Sequence, residues 1–252
     1  MESYTGFAEF YDLFMDNIPY EEWSHYLTGL LNEYGVKDGI VLDMGCGTGN
    51  ITELLAASGY DMIGIDNSED MLAEAMDKRY DSGHDILYLC QDMRELDLYG
   101  TVAAAVSICD SLNYILEYDQ LVHVFKLVNN YLDPGGVFIF DLNTIHKYEM
   151  MGDTVIAENR EEGSFIWENS YFEETHLNQY DLTIFAKDDD GRYTKFEETH
   201  VQRGYTLDEI KSALNDAGMI FLDSYGAFTK NPVSDNDERI YVIAGEKGKK
   251  IN

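Results

Sequence analysis

Val41-Leu42-Asp43-Met44-Gly45-Cys46-Gly47-Thr48-Gly49-Asn50 is the stretch on which the rest of the chain is arranged. Residues 40–42 read as a short buried strand, three alternating glycines follow, and 50–57 turn helical with Ile51, Leu54 and Leu55 on one face. Strand, glycine turn and helix together aim backbone N–H groups and a helix N-terminus at a ligand. Glycine suits such a turn because a Cβ blocks close approach and because φ is often positive there.

The spacing is G-x-G-x-G, with Asn50 where a dinucleotide-binding G-x-G-x-x-G has its third glycine. Asp43 stands two positions before the first glycine. A second apolar run, 61–66, ends in Asp66, and a carboxylate at a strand end can accept hydrogen bonds from two ribose hydroxyls. Asn67 and Met71 follow where they could flank an adenine. With these features the loop resembles the [DE]-x-G-x-G-x-G motif of class I S-adenosylmethionine-dependent methyltransferases.

That resemblance implies S-adenosyl-L-methionine as cofactor, S-adenosyl-L-homocysteine as product, and a cofactor set of Asp43, Gly45, Cys46, Gly47, Gly49, Asp66, Asn67 and Met71. It extends to the third strand, 86–90, whose following Asp92 and Met93 match the positions that meet the adenine edge. It extends also to the end of the apolar fourth strand, 101–108, where Cys109 and Asp110 complete the cofactor set and Ser111, Asn113 and Tyr114 lie on the substrate side. Leu132-Asp133-Pro134-Gly135-Gly136 reads as a tight turn before the fifth strand, 137–141, as is common in this class. No Asn-Pro-Pro-Tyr motif follows strand four, which argues against the amide and nucleobase N-methylating enzymes that carry it.

Strands alternating with helices through residue 141 indicate an α/β fold, a doubly wound and mostly parallel sheet with ligands at the strands' carboxyl ends. The resemblance makes this a seven-stranded Rossmann-like methyltransferase fold. Between 147 and 204 the pattern changes to strand-like runs, at 154–158, 164–173, 177–187 and 192–203, with no good helix. Asp188-Asp189-Asp190-Gly191 is a hairpin signal. The expected organisation is a cofactor-binding core, 1–146 and 205–252, with an antiparallel insertion at 147–204 roofing the site. Thr206 and Glu209 form a capping box for the next helix, and the last two strands fall at 219–228 and 239–246, the final one antiparallel.

Two aromatic helical patterns precede the first strand, one with Phe7, Phe10, Tyr11 and Phe14, the other over 20–34 with Trp23, Tyr26, Leu27, Leu30 and Leu31. In related methyltransferases such helices form a lid, which makes Tyr11 a candidate for the active site. Asn113 and Tyr11 are expected to orient the acceptor by hydrogen bonds, and His200, in the insertion, is a candidate base. The helix over 69–80 is expected to turn Met71, Leu72, Ala75 and Met76 inward.

Seventeen basic residues against 48 acidic ones give a net charge of −31. Nucleic-acid binding draws its affinity from Lys and Arg on phosphates, so such a substrate is disfavoured. A small molecule, an amine before a hydroxyl, is the expected acceptor, since the acidic field favours approach of a cation. Two other readings are an S-adenosylmethionine-binding regulatory or non-methylating module and, more remotely, an NAD(P)-dependent oxidoreductase. Cys46, Cys90 and Cys109 have no metal-ligand spacing, so no metal is expected and free thiols fit a cytoplasmic setting. No transmembrane run or secretory signal is read, and a monomer or homodimer is expected.

Overall fold

The structure, a computed structural model, describes residues 18–188 and 190–249. Strand β1 (Ile40–Met44) leads into helix α2 (Asn50–Ala57), β2 (Asp61–Asp66) into α3 (Glu69–Ser82), and β3 (Ile86–Cys90) into a short 3-10 turn at Met93–Glu95. Ahead of them lies α1 (Tyr20–Glu33); after them come β4 (Val102–Ser107), a 3-10 turn at Ser111–Tyr114, α4 (Tyr118–Tyr131) and β5 (Leu132–Asn143). Two strands close the chain, β10 (Ile220–Gly226) and β11 (Arg239–Gly245), preceded by α6 (Leu207–Asp216).

These make a seven-stranded sheet of order β10-β11-β5-β4-β1-β2-β3. β11 is antiparallel to both β5 and β10, and the pairings among β1 to β5 are parallel. Alternation along each strand supplies two cores. Leu42, Phe138, Phe140 and Leu142 pack with α4 and α6 on one face, whereas Val41, Ile139 and Ile243 pack with α1 and α2 on the other. The chain winds outward from β1 in both directions, so the carboxyl ends of β1 and β4 form the crevice where ligands of this architecture bind.

Between β5 and α6 the chain makes a separate antiparallel sheet of order β6-β7-β8-β9, from Thr154–Asn159, Gly163–Phe172, Leu177–Lys187 and Tyr193–Arg203. Asp188 anchors the β8–β9 hairpin, its carboxylate accepting from the Arg192 N–H at 2.8 Å. The capping box Thr206/Glu209 is formed.

Two local readings are corrected. A helix, α5 (Ile145–Met151), opens the region expected to hold none, because the Thr144 hydroxyl caps it by accepting from the Lys147 N–H at 3.2 Å. Met76 is 44% exposed, since the inward stripe of α3 is filled by Met71, Leu72 and Ala75. The tight turn of Leu132-Asp133-Pro134-Gly135-Gly136 is present within the irregular start of β5: Gly135 has φ +80°, and residues 133–136 loop out between the Val102–Leu132 and Ala104–Val137 pairs.

Candidate active site

The loop after β1 is bent by glycines whose roles differ. Gly45 has φ +73°, and a Cβ there would lie 2.6 Å from the Ser111 Oγ, so only glycine fits. Gly47, at φ +54°, has nothing within 4 Å of its missing Cβ and lines the cavity described below. Its N–H donates to the Asp66 Oδ2 at 2.8 Å, and the Ser68 N–H donates to Oδ1 at 2.9 Å. A carboxylate offers about four acceptor positions, so Asp66 keeps capacity for a diol. Gly49 forms the left-handed N-cap of α2, where a Cβ would meet the Tyr88 hydroxyl at 2.5 Å.

Asp43 is 2% exposed and accepts from the Thr52 Oγ1 at 2.7 Å. Burial pushes its carboxyl from 3.8 to about 7, against the Thr52 hydrogen bond and with help from the neighbouring Asp66. The folded chain thus holds a proton that the unfolded chain releases, so this group's contribution to stability is lost as pH rises from about 4 to about 7. Asp43→Asn is expected to flatten that slope. Melting of the ligand-free chain at pH 5 and pH 8 checks it: the gap between the two temperatures should narrow in the variant.

Asn67, Met71, Asp92 and Met93 all reach the cavity. Met71 is nonetheless 2% exposed and packs with Leu182 and Ile184, so it also joins the core to the second sheet. Asp92 is more committed than its motif position implies. It caps the turn at Met93–Glu95 through the Arg94 N–H at 2.8 Å and is gripped by the Arg94 guanidinium, with Nε at 2.9 and 3.0 Å. That hydrogen bonding holds its carboxyl below the usual carboxylate range.

After β4 the backbone enters the left-handed region at two non-glycine residues, Cys109 (φ 62°) and Asp110 (φ 55°). Such strain persists only where neighbours impose it. Here Asp141, fully buried on β5, accepts from the Cys109 N–H at 3.2 Å and the Asp110 N–H at 2.7 Å. Arg239, the first residue of β11, donates to Asp141 at 2.5 Å and to the Asp110 Oδ1 at 2.6 Å. Gln202 on β9 donates to the Asp110 Oδ2 at 2.6 Å and accepts from the Tyr148 hydroxyl at 2.9 Å. Arg239 also lies over the Trp23 ring of α1, 5.1 Å from its centroid. Burial raises the Asp141 carboxyl and the guanidinium opposes the rise. Burial also pushes the Cys46 and Cys109 thiols well up, which makes them poor nucleophiles. Sequence reading missed Asp141, Arg239, Gln202 and Tyr148; the one local signal was an aspartate ending the apolar run of β5.

The second sheet turns one face to the same cavity. Trp167 stacks on Tyr180 (centroids 4.4 Å), Tyr180 stacks on His200 (4.9 Å), and Tyr114 meets His200 edge-on (5.9 Å). Asn113 is corrected: it is fully buried, its amide donating to the carbonyls of Asn143 and Arg203 at 3.0 and 2.8 Å while its oxygen accepts from the Asn143 N–H at 3.0 Å. No donor is left for an acceptor, so Asn113 ties the turn at Ser111–Tyr114 to β5 and β9. Tyr11 lies outside the described residues.

Loop, crevice and roof enclose a cavity of about 820 Å³, within the range of roughly 300–1,000 Å³ typical of small-molecule sites. One half is walled by Asp43, Gly47, Asp66 and Asp92, the other by Tyr114, Trp167, Tyr180 and His200, and the Asp110–Arg239 pair lies between β4 and β11. Among the described residues no helix is long and apolar enough to cross a membrane.

A methyltransferase-domain family model matches residues 41–136. The chain is 35% identical over 250 residues to YqeM of Bacillus subtilis (strain 168), a candidate methyltransferase, covering 98% of each. A solved S-adenosylmethionine-dependent methyltransferase of Clostridium acetobutylicum superposes with a TM-score of 0.87 at 31% identity, covering 97% of this chain and 99% of that one. A glycine/sarcosine N-methyltransferase of Halorhodospira halochloris is 24% identical, over 82% of this chain and 75% of that protein.

Proposed function

The chain belongs to the class I S-adenosylmethionine-dependent methyltransferases, and on that premise we propose that its acceptor is a small-molecule amine. The observation that carries this reading is the aromatic wall of Trp167, Tyr180, His200 and Tyr114, set in a cavity where the lining cations Arg94 and Arg239 are each held by a carboxylate. Ring faces attract an ammonium group through their quadrupole, an attraction a neutral hydroxyl does not share. The net charge of −31 acts in the same direction, as does the name of the N-methylating relative. No observation favours the regulatory or oxidoreductase readings.

The residues present fit the cofactor. Gly47 leaves open space at the cavity wall where any other residue would project a Cβ, and Asp66 retains acceptor positions. We assign Gly45, Cys46 and Gly47 with Asp43 to its amino-acid end, Asp66 to its ribose, and Asn67, Met71, Asp92 and Met93 to its adenine. Cys109 and Asp110 would border its reactive end. Residues 1–146 and 205–252 form the binding core in this reading, and 147–204 the acceptor chamber. When bound, S-adenosylmethionine supplies a methyl group already activated by a positive sulfur. What remains for the protein is to hold the acceptor in line and keep water out, and alignment alone can lower a barrier by roughly 7–11 kcal/mol.

Incubation with methyl-labelled S-adenosylmethionine and paired acceptors tests the reading, each pair an amine and its hydroxyl isostere: glycine with glycolate, an amino sugar with the parent sugar. Label is expected in amines only. Label confined to hydroxyl compounds would refute it.

A further inference from the structure

Three hydrogen bonds join four side chains in the roof half of the cavity. The Tyr114 and Tyr180 hydroxyl oxygens are 2.6 Å apart, the Tyr114 oxygen is 3.2 Å from the His200 Nδ1, and the His200 Nε2 is 3.1 Å from the Glu198 Oε2. Tyr114, Tyr180 and His200 line the cavity; Glu198 lies behind them. The His200 and Glu198 side chains are only 3% and 6% exposed. Among the described residues the second Glu198 oxygen, Oε1, is buried without a hydrogen-bond partner. A carboxylate held in that way is costly unless its charge serves something nearby. The carboxylates that line the cavity are differently engaged: Asp110 holds Arg239, Asp92 holds Arg94, Asp66 anchors the glycine loop, and Asp43 accepts from Thr52.

We propose that Tyr114, His200 and Glu198 form a proton relay that strips the proton from the acceptor ammonium before methyl transfer. This rests on the amine reading above. An ammonium nitrogen has no lone pair and cannot attack. The Tyr114 oxygen takes the N–H proton as its own O–H proton passes to the His200 Nδ1, and the His200 Nε2–H stays donated to Glu198. The imidazolium so formed faces a carboxylate that stabilises it. The freed amine nitrogen then forms a bond to the methyl carbon, the C–S bond breaks, and its electron pair remains on sulfur. Tyr114 is the catalytic residue in this scheme; His200 and Glu198 act through it. Tyr180, opposite His200 in the β8–β9 register, stacks on the ring and fixes its plane. Among the described residues, His200 meets Glu198 on its own strand, Tyr180 on β8 and Tyr114 on the turn after β4. Asp110 and Arg239 form the next charged layer, beyond Gln202.

The scheme fixes a tautomer, which gives a readout independent of any acceptor. With S-adenosylhomocysteine bound, two-bond proton–nitrogen NMR of 15N-histidine-labelled protein is expected to show neutral His200 protonated at Nε2, its signal identified by its loss in His200→Gln. Glu198→Gln should erase that preference. A neutral His200 protonated at Nδ1 would overturn the relay, because that nitrogen could then receive nothing from Tyr114. In turnover, Tyr114→Phe and Glu198→Gln should lower kcat by about 100-fold near neutral pH, a usual size for lost general base catalysis. KM for S-adenosylmethionine should stay near the parent value, and the deficit should shrink at alkaline pH, where the free amine is already abundant. Absence of transfer to any amine by the parent overturns the amine reading. A parent that methylates amines while both variants keep its pH profile overturns the relay alone.

Discussion

Arg239→Ala is expected to destabilise the chain by about 3–5 kcal/mol, the usual cost of removing one partner from a buried ion pair. The arginine side chain is 14% exposed, and its two carboxylate partners, Asp141 and Asp110, are 0% and 20% exposed. Its removal strands Asp141 in the interior and releases the clamp on the left-handed turn at Cys109 and Asp110. For a chain of this size the melting temperature should fall by roughly 6–20 °C. The loss should also depend on pH in a definite direction. Burial already raises the Asp141 carboxyl, and without the guanidinium the rise is larger. The variant's folded state then holds a proton that its unfolded state gives up, so its deficit is smaller at pH 5 than at pH 8. Adding Asp141→Asn and Asp110→Asn should recover part of the stability by removing the orphaned charge. Calorimetry on the ligand-free chains decides the matter, and a single variant within 1 kcal/mol of the parent would refute it.

Asp66→Ala should cost roughly 10–100-fold or more in affinity for S-adenosylhomocysteine, since each hydrogen bond to a charged group contributes about 1.5–3 kcal/mol. Two losses combine in this variant. The carboxylate no longer meets the cofactor's hydroxyls, and the Gly47 N–H loses its acceptor at 2.8 Å, so the loop is no longer preformed. Asp66→Asn separates them only in part: one amide oxygen can still take the Ser68 N–H, but its NH2 would oppose that of Gly47. Titration calorimetry beside a melt of the ligand-free variants distinguishes lost binding from lost folding. Parental affinity in a folded Asp66→Ala would remove the ribose assignment.

What the sequence displayed of this molecule was whatever neighbours along the chain determine together. The glycine loop, the strand ending in Asp66, helix Asn50–Ala57 and helix Tyr118–Tyr131 depend on periodicity and turn chemistry within a few residues. The strand runs of the roof were visible as alternation for the same reason. The Arg239 clamp was not, because its partners lie 98 and 129 positions away and meet it only after β11 has paired with β5. Asn113 was misread in the opposite sense. A polar residue in a turn beside the site suggested contact with substrate, yet the carbonyls of Asn143 and Arg203, 30 and 90 positions distant, consume its amide. His200 was picked out by residue type, but Glu198 was passed over, since two residues on one strand face share a direction that only the folded register makes meaningful.

The roof half of the cavity takes Trp167, Tyr180 and His200 from strands, and a strand gives each side only every second residue. On β8, Asn178, Tyr180 and Leu182 look inward, whereas Gln179, Asp181 and Thr183 look away. Two independent messages can therefore be written along β8, the even positions facing the cavity and the odd ones facing away from it. Descendants of this chain could reshape that half of the cavity through a few replacements at inward-facing positions while the glycine-loop half, built on another sheet, keeps its sequence.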